Sequence, residues 1–540
     1  MKADSKSFNP WVRFSAITAT CVAMMLPIVP GEASGQTDLK PQTMPGIGQV
    51  DARYLSYNIE AVEITGGRFW KPYKDIEAQQ SARTAQVDEN HTVGMDPALF
   101  QYRSPINLEN PRLRKLTLAL GPAYVRVSGT WRNSTYFQDN NEPALKEPPK
   151  GFNSVMTRAE WKGVVDFSRA TDAQIVTSFS ISPGVRDADG VWTPQQAKEV
   201  LDYTKQIGGR IAAAEFMNEP TYAVIGGAPR GYDATAFGKD VKVFKMFLRA
   251  ESPATVFLGP GGVGEGVTLV GPSQMRMLSS EDLMKTTGPV FDAFSYHFYG
   301  GVSQRCAAGP AATMGTTATD ALTAEWLDRA NRVEAFYAKL RNAYLQGKPM
   351  WLTETGQTAC GGDKWAAEFV DSFRFLDQLG ALAQKSVKVV MHNTLAASDY
   401  GLLDEETLEP RPNYWAALLW KRTMGTRVLD PDVAPTENLR VFAQCMKGSR
   451  GGVSVLVLNL DEKQEQTIQF PLAGELYTLS APALSSKEVL LNGIALKAAQ
   501  DGTIPALKGK AVKAGTLRFA PLTISFVTLP DAQNASCMEP

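Results

Sequence analysis

Between residues 50 and 425, short runs of β-branched and apolar residues alternate with longer segments whose apolar positions recur at helical spacing, the pattern of a parallel sheet joined by crossover helices. Eight such runs, at 55–62, 123–128, 173–180, 211–217, 255–259, 291–296, 349–353 and 387–392, predict an α/β fold closed into a (β/α)8 TIM barrel. Trp161, Val164, Val165 and Phe167 follow Arg158 at helical spacing, and Trp365, Phe369, Phe373 and Leu376 repeat the pattern, so both sets read as stripes facing the core. Thr193-Pro194-Gln195-Gln196 predicts a helix start, with Thr193 as N-cap and Pro194 at the first helical position. Gly259-Pro260-Gly261-Gly262-Val263-Gly264 follows a strand with no helix opening on it, and reads as a turn, not a phosphate cradle.

After about residue 430 the texture changes to short alternating strands, at 439–446, 453–460, 466–472, 476–480, 489–496, 517–519 and 524–529, which predicts a C-terminal β-sandwich domain. Residues 70–105 and 137–157 are polar, contain prolines and are weakly periodic, so they read as insertions. The expected organisation is a signal peptide over 1–35, an N-terminal segment over 36–50, a catalytic barrel over 51–430 and a sandwich over 431–540.

The chain has 540 residues, 44% hydrophobic and 21% charged, a globular profile with ample core. Its formal net charge of −1 argues against nucleic acid or an anionic membrane as the main partner, since both select a basic face. Lys2, Lys6 and Arg13 precede an apolar run over 14–30, and Ala33-Ser34-Gly35 then offers small residues for signal peptidase. Cleavage near Gly35 predicts a secreted or periplasmic protein without stable membrane insertion. The alternative is a retained anchor, which Pro27 and Pro30 shorten. Cys21 lies inside this run without the small residue that lipid attachment needs before it. Export leaves four cysteines in an oxidising compartment. Three pairings are open; the organisation above favours Cys306 with Cys360 and Cys445 with Cys537, with free buried thiols as the alternative.

The candidate chemistry lies in Phe216-Met217-Asn218-Glu219-Pro220 and Trp351-Leu352-Thr353-Glu354-Thr355-Gly356, where a glutamate follows an apolar run at the end of the fourth and seventh expected strands. Active sites of such barrels form where the strands end, and these two strands face one another across the mouth. Two carboxylates so placed can split a glycosidic bond. Asn218 supplies an amide for a sugar 2-hydroxyl, which makes Glu219 the general acid/base, with its pKa raised by burial and by the second carboxylate. Glu354 is then the nucleophile, and Tyr299 is placed to bond it and keep it ionised. A carboxyl separation of ~5 to 5.5 Å is expected for such a pair. The only histidines are His91, His297 and His392, too few for a His-rich metal site or a serine triad. His297 and His392 sit at strand ends and are expected to face the same mouth.

These motifs resemble the heparanase and β-glucuronidase family of retaining glycoside hydrolases. The likeness runs from about residue 50 to the C-terminus, through Leu55-Ser56 with Ile59-Glu60, Pro122-Ala123-Tyr124-Val125-Arg126 with Gly129-Thr130, Asn218-Glu219-Pro220, Asp292 with His297 and Tyr299, and Trp351-Leu352 with Glu354-Thr355. Gly361-Gly362, Val389-Val390-Met391, Tyr400, Leu403-Asp404-Glu405, Pro412-Asn413-Tyr414-Trp415 and Gly425-Thr426-Arg427-Val428-Leu429 continue it. The resemblance implies a β-linked glucuronic acid glycoside or polysaccharide as partner, cut at chain ends (exo) or internally (endo), without metal or organic cofactor, by a monomeric single chain. It implies that the amides of Gly361 and Gly362 and the Tyr400 hydroxyl hold the sugar carboxylate, and that Glu60, Thr130 and Asn218 line the same subsite, with His297, Tyr299 and Asn393 completing the substrate-binding set. Backbone donors recognise a carboxylate without a buried arginine. Two departures stand out: the family often has aspartate where this chain has Glu60, and Cys360 precedes the glycines. The resemblance also implies that the residues after the signal peptide add a strand to the sandwich. The rival readings are a barrel glycosidase for neutral sugars, such as a β-xylosidase, and a non-catalytic carbohydrate-binding protein on a degenerate barrel.

Overall fold

The structure, a computed structural model, describes residues 37–80, 97–223, 225–266, 277–307 and 315–538. The expected signal peptide, Cys21 and His91 lie outside the described residues. Among the described residues, no helix is long and apolar enough to cross a membrane.

Eight parallel strands close into a barrel in chain order: Leu55–Glu60, Ala123–Ser128, Ala173–Thr177, Ile211–Glu215, Val256–Gly262, Ala293–Tyr299, Met350–Gly356 and Val387–His392. The eighth closes on the first through Val390 opposite Leu55. Strands covered on both faces bury nearly every side chain, which is why they read as unbroken apolar runs. One helix returns the chain after each strand: Pro111–Leu118, Arg158–Ala170, Gln195–Gln206, Ala234–Glu251, Ser280–Thr287, Arg329–Tyr344, Asp371–Gln384 and Pro412–Thr423. Trp161, Val164, Val165 and Phe167 are buried on the second helix, as are Phe373 and Leu376 on the seventh.

Three local expectations are corrected. The glycine-rich stretch after residue 259 continues the fifth strand to Gly262; the register shifts between Pro260 and Gly262, and such a bulge is where a strand tolerates proline. The third helix has Pro194, not Thr193, at its N-cap, while the Thr193 hydroxyl donates to Val185 O and the Gln196 side chain accepts from Phe137 N. The stretch 489–496 is two short strands, Leu490–Leu491 and Ile494–Ala495, folded back at Asn492 and Gly493, both with positive φ, as a two-residue hairpin turn requires.

The C-terminal part stacks two sheets. The larger runs Gly46–Gln49, Met424–Leu429, Leu439–Met446, Val453–Asn459, Thr523–Leu529, Gly474–Ser480, Leu490–Leu491, Ile494–Ala495, with Lys510–Val512 also pairing to Gly474–Ser480. The smaller contains Thr37–Asp38, Gln466–Phe470 and Gly515–Phe519. Val441, Val455, Val457, Ile468, Phe470, Phe519 and Val527 form the core between them. Phe442, Leu456, Leu458 and Phe526 belong instead to the apolar cluster that includes the last two barrel helices. Met424–Leu429 thus lies in this sheet although it precedes residue 430, because its backbone pairs with Leu439–Met446 and Gly46–Gln49. The two stretches read as insertions return as ribbons, Gly67–Trp70 with Phe100–Arg103 and Thr135–Gln138 with Ser154–Thr157. Disulfides join Cys306 to Cys360 and Cys445 to Cys537.

Candidate active site

Glu354 is built into the seventh strand, where its neighbour across the sheet is His297 of the sixth. Glu219 lies beyond the end of the fourth strand in a left-handed conformation, φ 48° and ψ 63°, that a glutamate adopts only when its surroundings impose it. Asn133 imposes it: its amide nitrogen donates to Asn218 O at 2.9 Å and its amide oxygen accepts from Asn218 N at 2.8 Å.

The two carboxylates meet. An oxygen of Glu219, an oxygen of Glu354 and a His297 ring nitrogen lie within 4.8 Å of one another. His297 Nδ1 is 3.0 Å from Glu219 Oε1 and 3.7 Å from Glu354 Oε2. The Glu219 side chain is 19% exposed and that of Glu354 7%, so Glu219 is the one reached more readily from outside.

Beneath them sits Arg126, a guanidinium from the second strand with 1% exposure. It donates through Nη1 to Glu354 Oε2 at 2.7 Å, through Nη2 to Asn218 Oδ1 at 2.8 Å and through Nε to Glu215 Oε2 at 2.9 Å. The Thr353 hydroxyl donates to Glu215 Oε1 at 2.7 Å, so this third carboxylate is fully engaged. Tyr299 donates to Glu354 Oε1 at 2.7 Å.

The two pKa values are driven apart. Burial pushes that of Glu219 up; the His297 hydrogen bond works against this, and the negative charge of Glu354 adds to it. Burial also opposes the charge of Glu354, but His297, Arg126 and the Tyr299 hydroxyl outweigh it and hold its pKa below the ordinary value. The two carboxyls are therefore pushed in opposite directions, Glu219 toward the acid form and Glu354 toward the ionised form, the arrangement that can separate an acid from a nucleophile. Glu219, His297 and Glu354 are also the geometric minimum of a cation site, but Arg126 already brings positive charge to Glu354 Oε2, so the trio does not suit a metal ion.

A second network extends from Tyr299 to the first and eighth strands. The Asn393 amide nitrogen lies 3.0 Å from Tyr299 Oη, 3.1 Å from Tyr400 Oη and 3.2 Å from Glu60 Oε1. Burial, followed by the charge of Glu354, raises the Glu60 pKa well above its usual range, and Glu60 Oε2 has no protein partner among the described residues. Burial thus favours the protonated form of Glu60, and Oε2 is its free oxygen in this network. Thr130, half-buried, opens the short helical turn Thr130–Ser134 just beyond Gly129. Gly361 and Gly362 are buried with φ of 82° and 79°, and neither amide finds a protein acceptor among the described residues.

His392 departs from expectation. Its Nε2 donates to Tyr400 O at 2.7 Å and its ring packs edge-on against Phe375 of the seventh helix. Successive strand residues point to opposite faces, so His392 turns outward where Asn393 turns in. Burial pushes its pKa down to about 3, and the neutral ring braces Tyr400 from behind.

Sequence reasoning assigned no role to Arg126, Glu215 or Asn133. The available signal was a charge inside an apolar strand, in Val125-Arg126-Val127 and Ala214-Glu215-Phe216, since such charges are rarely buried unless paired. Gly129 is a further case. At φ 92°, a Cβ there would stand 1.5 Å from Glu60 Oε2. Gly129→Ala is expected to lower stability by about 2–4 kcal/mol through strain and displacement of Glu60; a melting curve with a parallel activity assay checks it.

Comparison with known proteins follows the same lines. The family model described as "Glycosyl hydrolase family 79, N-terminal domain" matches residues 103–380. A heparanase-like protein 1 from Arabidopsis thaliana is 26% identical over 86% of this chain and 94% of its own length. A hyaluronoglucuronidase from Hirudo nipponia is 27% identical over 84% of this chain and 97% of its own. Among solved structures, a 4-O-α-L-rhamnosyl-β-D-glucuronidase from Fusarium oxysporum superposes with a TM-score of 0.61 at 13% identity, covering 91% of this chain and 100% of that one, a likeness of fold.

Proposed function

The chain belongs to glycosyl hydrolase family 79, and from that premise we propose that it is a retaining β-glucuronidase that hydrolyses β-linked glucuronic acid by double displacement. The observation that carries this reading is the pair of carboxyl oxygens within 4.8 Å, with pKa values driven in opposite directions. Carboxyl oxygens this near one another support direct attack over an inverting pair, whose carboxyl groups stand ~6.5–9.5 Å apart to hold a water.

In the first step Glu219 gives its proton to the glycosidic oxygen while Glu354 attacks the anomeric carbon; the C1–O bond breaks, the aglycone leaves as an alcohol, and a glucuronosyl ester forms on Glu354. In the second, Glu219, now ionised, takes a proton from water, whose oxygen attacks C1 from the face the aglycone left. The ester bond breaks and glucuronic acid departs with its configuration retained. Arg126 and Tyr299 keep Glu354 ionised for attack and receive it again as a leaving group. A glucuronide is supported over a neutral sugar by the Gly361 and Gly362 amides beside Tyr400, which find no protein acceptor among the described residues and are donors suited to a carboxylate.

The test compares aryl β-glucuronide with aryl β-xyloside, with size analysis of heparan sulfate treated by the same preparation. Preference for the glucuronide and a β-configured first product are expected; preference for the xyloside, or an α product, defeats the reading. The pH profile of kcat/KM should be a bell, with Glu354 ionisation on its acid side and Glu219 deprotonation on its alkaline side. Tyr299→Phe removes a donor to a charged acceptor, so kcat/KM should fall about ten- to a hundredfold. The acid limb should move to higher pH, because ionised Glu354 loses support.

A further inference from the structure

The wall that would face the sugar carboxylate rests on a buried guanidinium. Arg305 follows the sixth strand, and its side chain has 0% exposure. Nη1 donates to Cys360 O at 3.0 Å, Nη2 pairs with the Asp399 carboxylate, and the guanidinium carbon stands 4.2 Å from the centre of the Tyr73 ring. A Cβ on Gly361 would meet Nη1 at 2.2 Å, so the guanidinium lies directly against that residue.

Peptide planarity gives these contacts a consequence. Cys360 C=O and Gly361 N–H are opposite ends of one rigid unit, so holding the carbonyl aims the amide the other way. Arg305 and the Ser303 hydroxyl, the latter at 3.0 Å, both donate to that carbonyl. The next unit is held likewise, since Asp399 N donates to Gly361 O at 3.0 Å and thereby aims Gly362 N–H. Asp399, which anchors Arg305, directly precedes Tyr400. The Cys306–Cys360 disulfide fixes the two loops at a Cα–Cα distance of 6.4 Å but leaves the tilt of the following peptide open. A charged donor at the carbonyl also polarises the amide and strengthens it as a donor.

We propose that Arg305 is the positioning residue of a uronate-carboxylate subsite, locking the loops after the sixth, seventh and eighth strands so that the Gly361 and Gly362 amides and the Tyr400 hydroxyl converge on one anion. The proposal rests on the glucuronidase reading and assigns its selectivity to a residue that does not touch the sugar.

The experiment measures kcat and KM for aryl β-glucuronide and aryl β-xyloside with the full chain, its Arg305→Met and Arg305→Lys variants, and Asp399→Asn, with melting curves for each. Arg305→Met is expected to lower the glucuronide-to-xyloside ratio of kcat/KM about tenfold or more, chiefly through KM for the glucuronide. Arg305→Lys should restore part of it, because an ammonium still donates to the carbonyl. Asp399→Asn loosens the guanidinium without removing it, should shift the ratio the same way by less, and decides the matter if Arg305→Met does not fold. An unchanged ratio, or an equal loss on both substrates, overturns the assignment. Wild-type protein with no glucuronide preference would instead defeat the functional reading beneath it.

Discussion

Glu354→Ala is expected to lower turnover of an activated aryl β-glucuronide by roughly 10⁵-fold, because it removes both the attacking oxygen and the covalent intermediate. The variant should bind substrate with little change, since Glu354 contributes charge at the anomeric carbon more than ground-state contact. Added azide can enter the space left by the carboxylate and attack C1 directly, giving α-glucuronosyl azide after a single inversion. Glu219→Ala should behave differently. An activated phenol leaves without protonation, so the glucuronosyl-enzyme accumulates, and azide then attacks it to yield the β azide. Product configuration in the two variants therefore reads the roles independently of rate. An α azide from Glu219→Ala would exchange the assignments, and no azide product from either would remove the double displacement altogether.

The convergence of these two residues on one mouth was partly legible in the sequence, and so was the proposed division of labour between them. A carboxylate after an apolar run in an eight-strand alternation marks a strand end, and the Asn218-Glu219 pair pointed to the acid. The Tyr299 bond to Glu354 was legible in the sequence, but the Arg126 contact was not. Arg126 and Glu215 come from different strands of the barrel, and whether they meet inside it depends on strand tilt and stagger, which pattern does not encode. The Asn393 network has the same character, since it joins Glu60 to a side chain 333 positions away. Other misses had a usable signal. His392 ends the eighth strand and Asn393 directly follows it, so the two side chains leave the chain in opposite directions, and Asn492-Gly493 is a strong two-residue turn inside a stretch read as one strand. Met424–Leu429 carried no such mark: its composition suits either sheet, and only its pairing with Leu439–Met446 decides.

Arg126→Met should produce the largest effect of any change away from the two glutamates. The guanidinium is bonded to Glu215 and Glu354, and both partners are buried. Its removal leaves two carboxylates facing one another without a counter-charge, a loss of about 3–5 kcal/mol in unfolding free energy for a broken buried pair. The kinetic effect has a definite sign. Glu354 is held ionised below its ordinary pKa in part by Arg126, so without it the carboxylate takes up a proton at higher pH and the acid limb of kcat/KM moves upward. Glu215→Gln in the same background relieves one of the two stranded charges. The double variant should regain part of the lost melting temperature, because one buried carboxylate is now neutral and the glutamine can still accept from Thr353. Its acid limb should stay displaced, because Glu354 still lacks its donor. Recovery of both together would mean that Arg126 acts through the fold alone. Recovery of stability without the pH profile separates its support of the barrel interior from its control of Glu354.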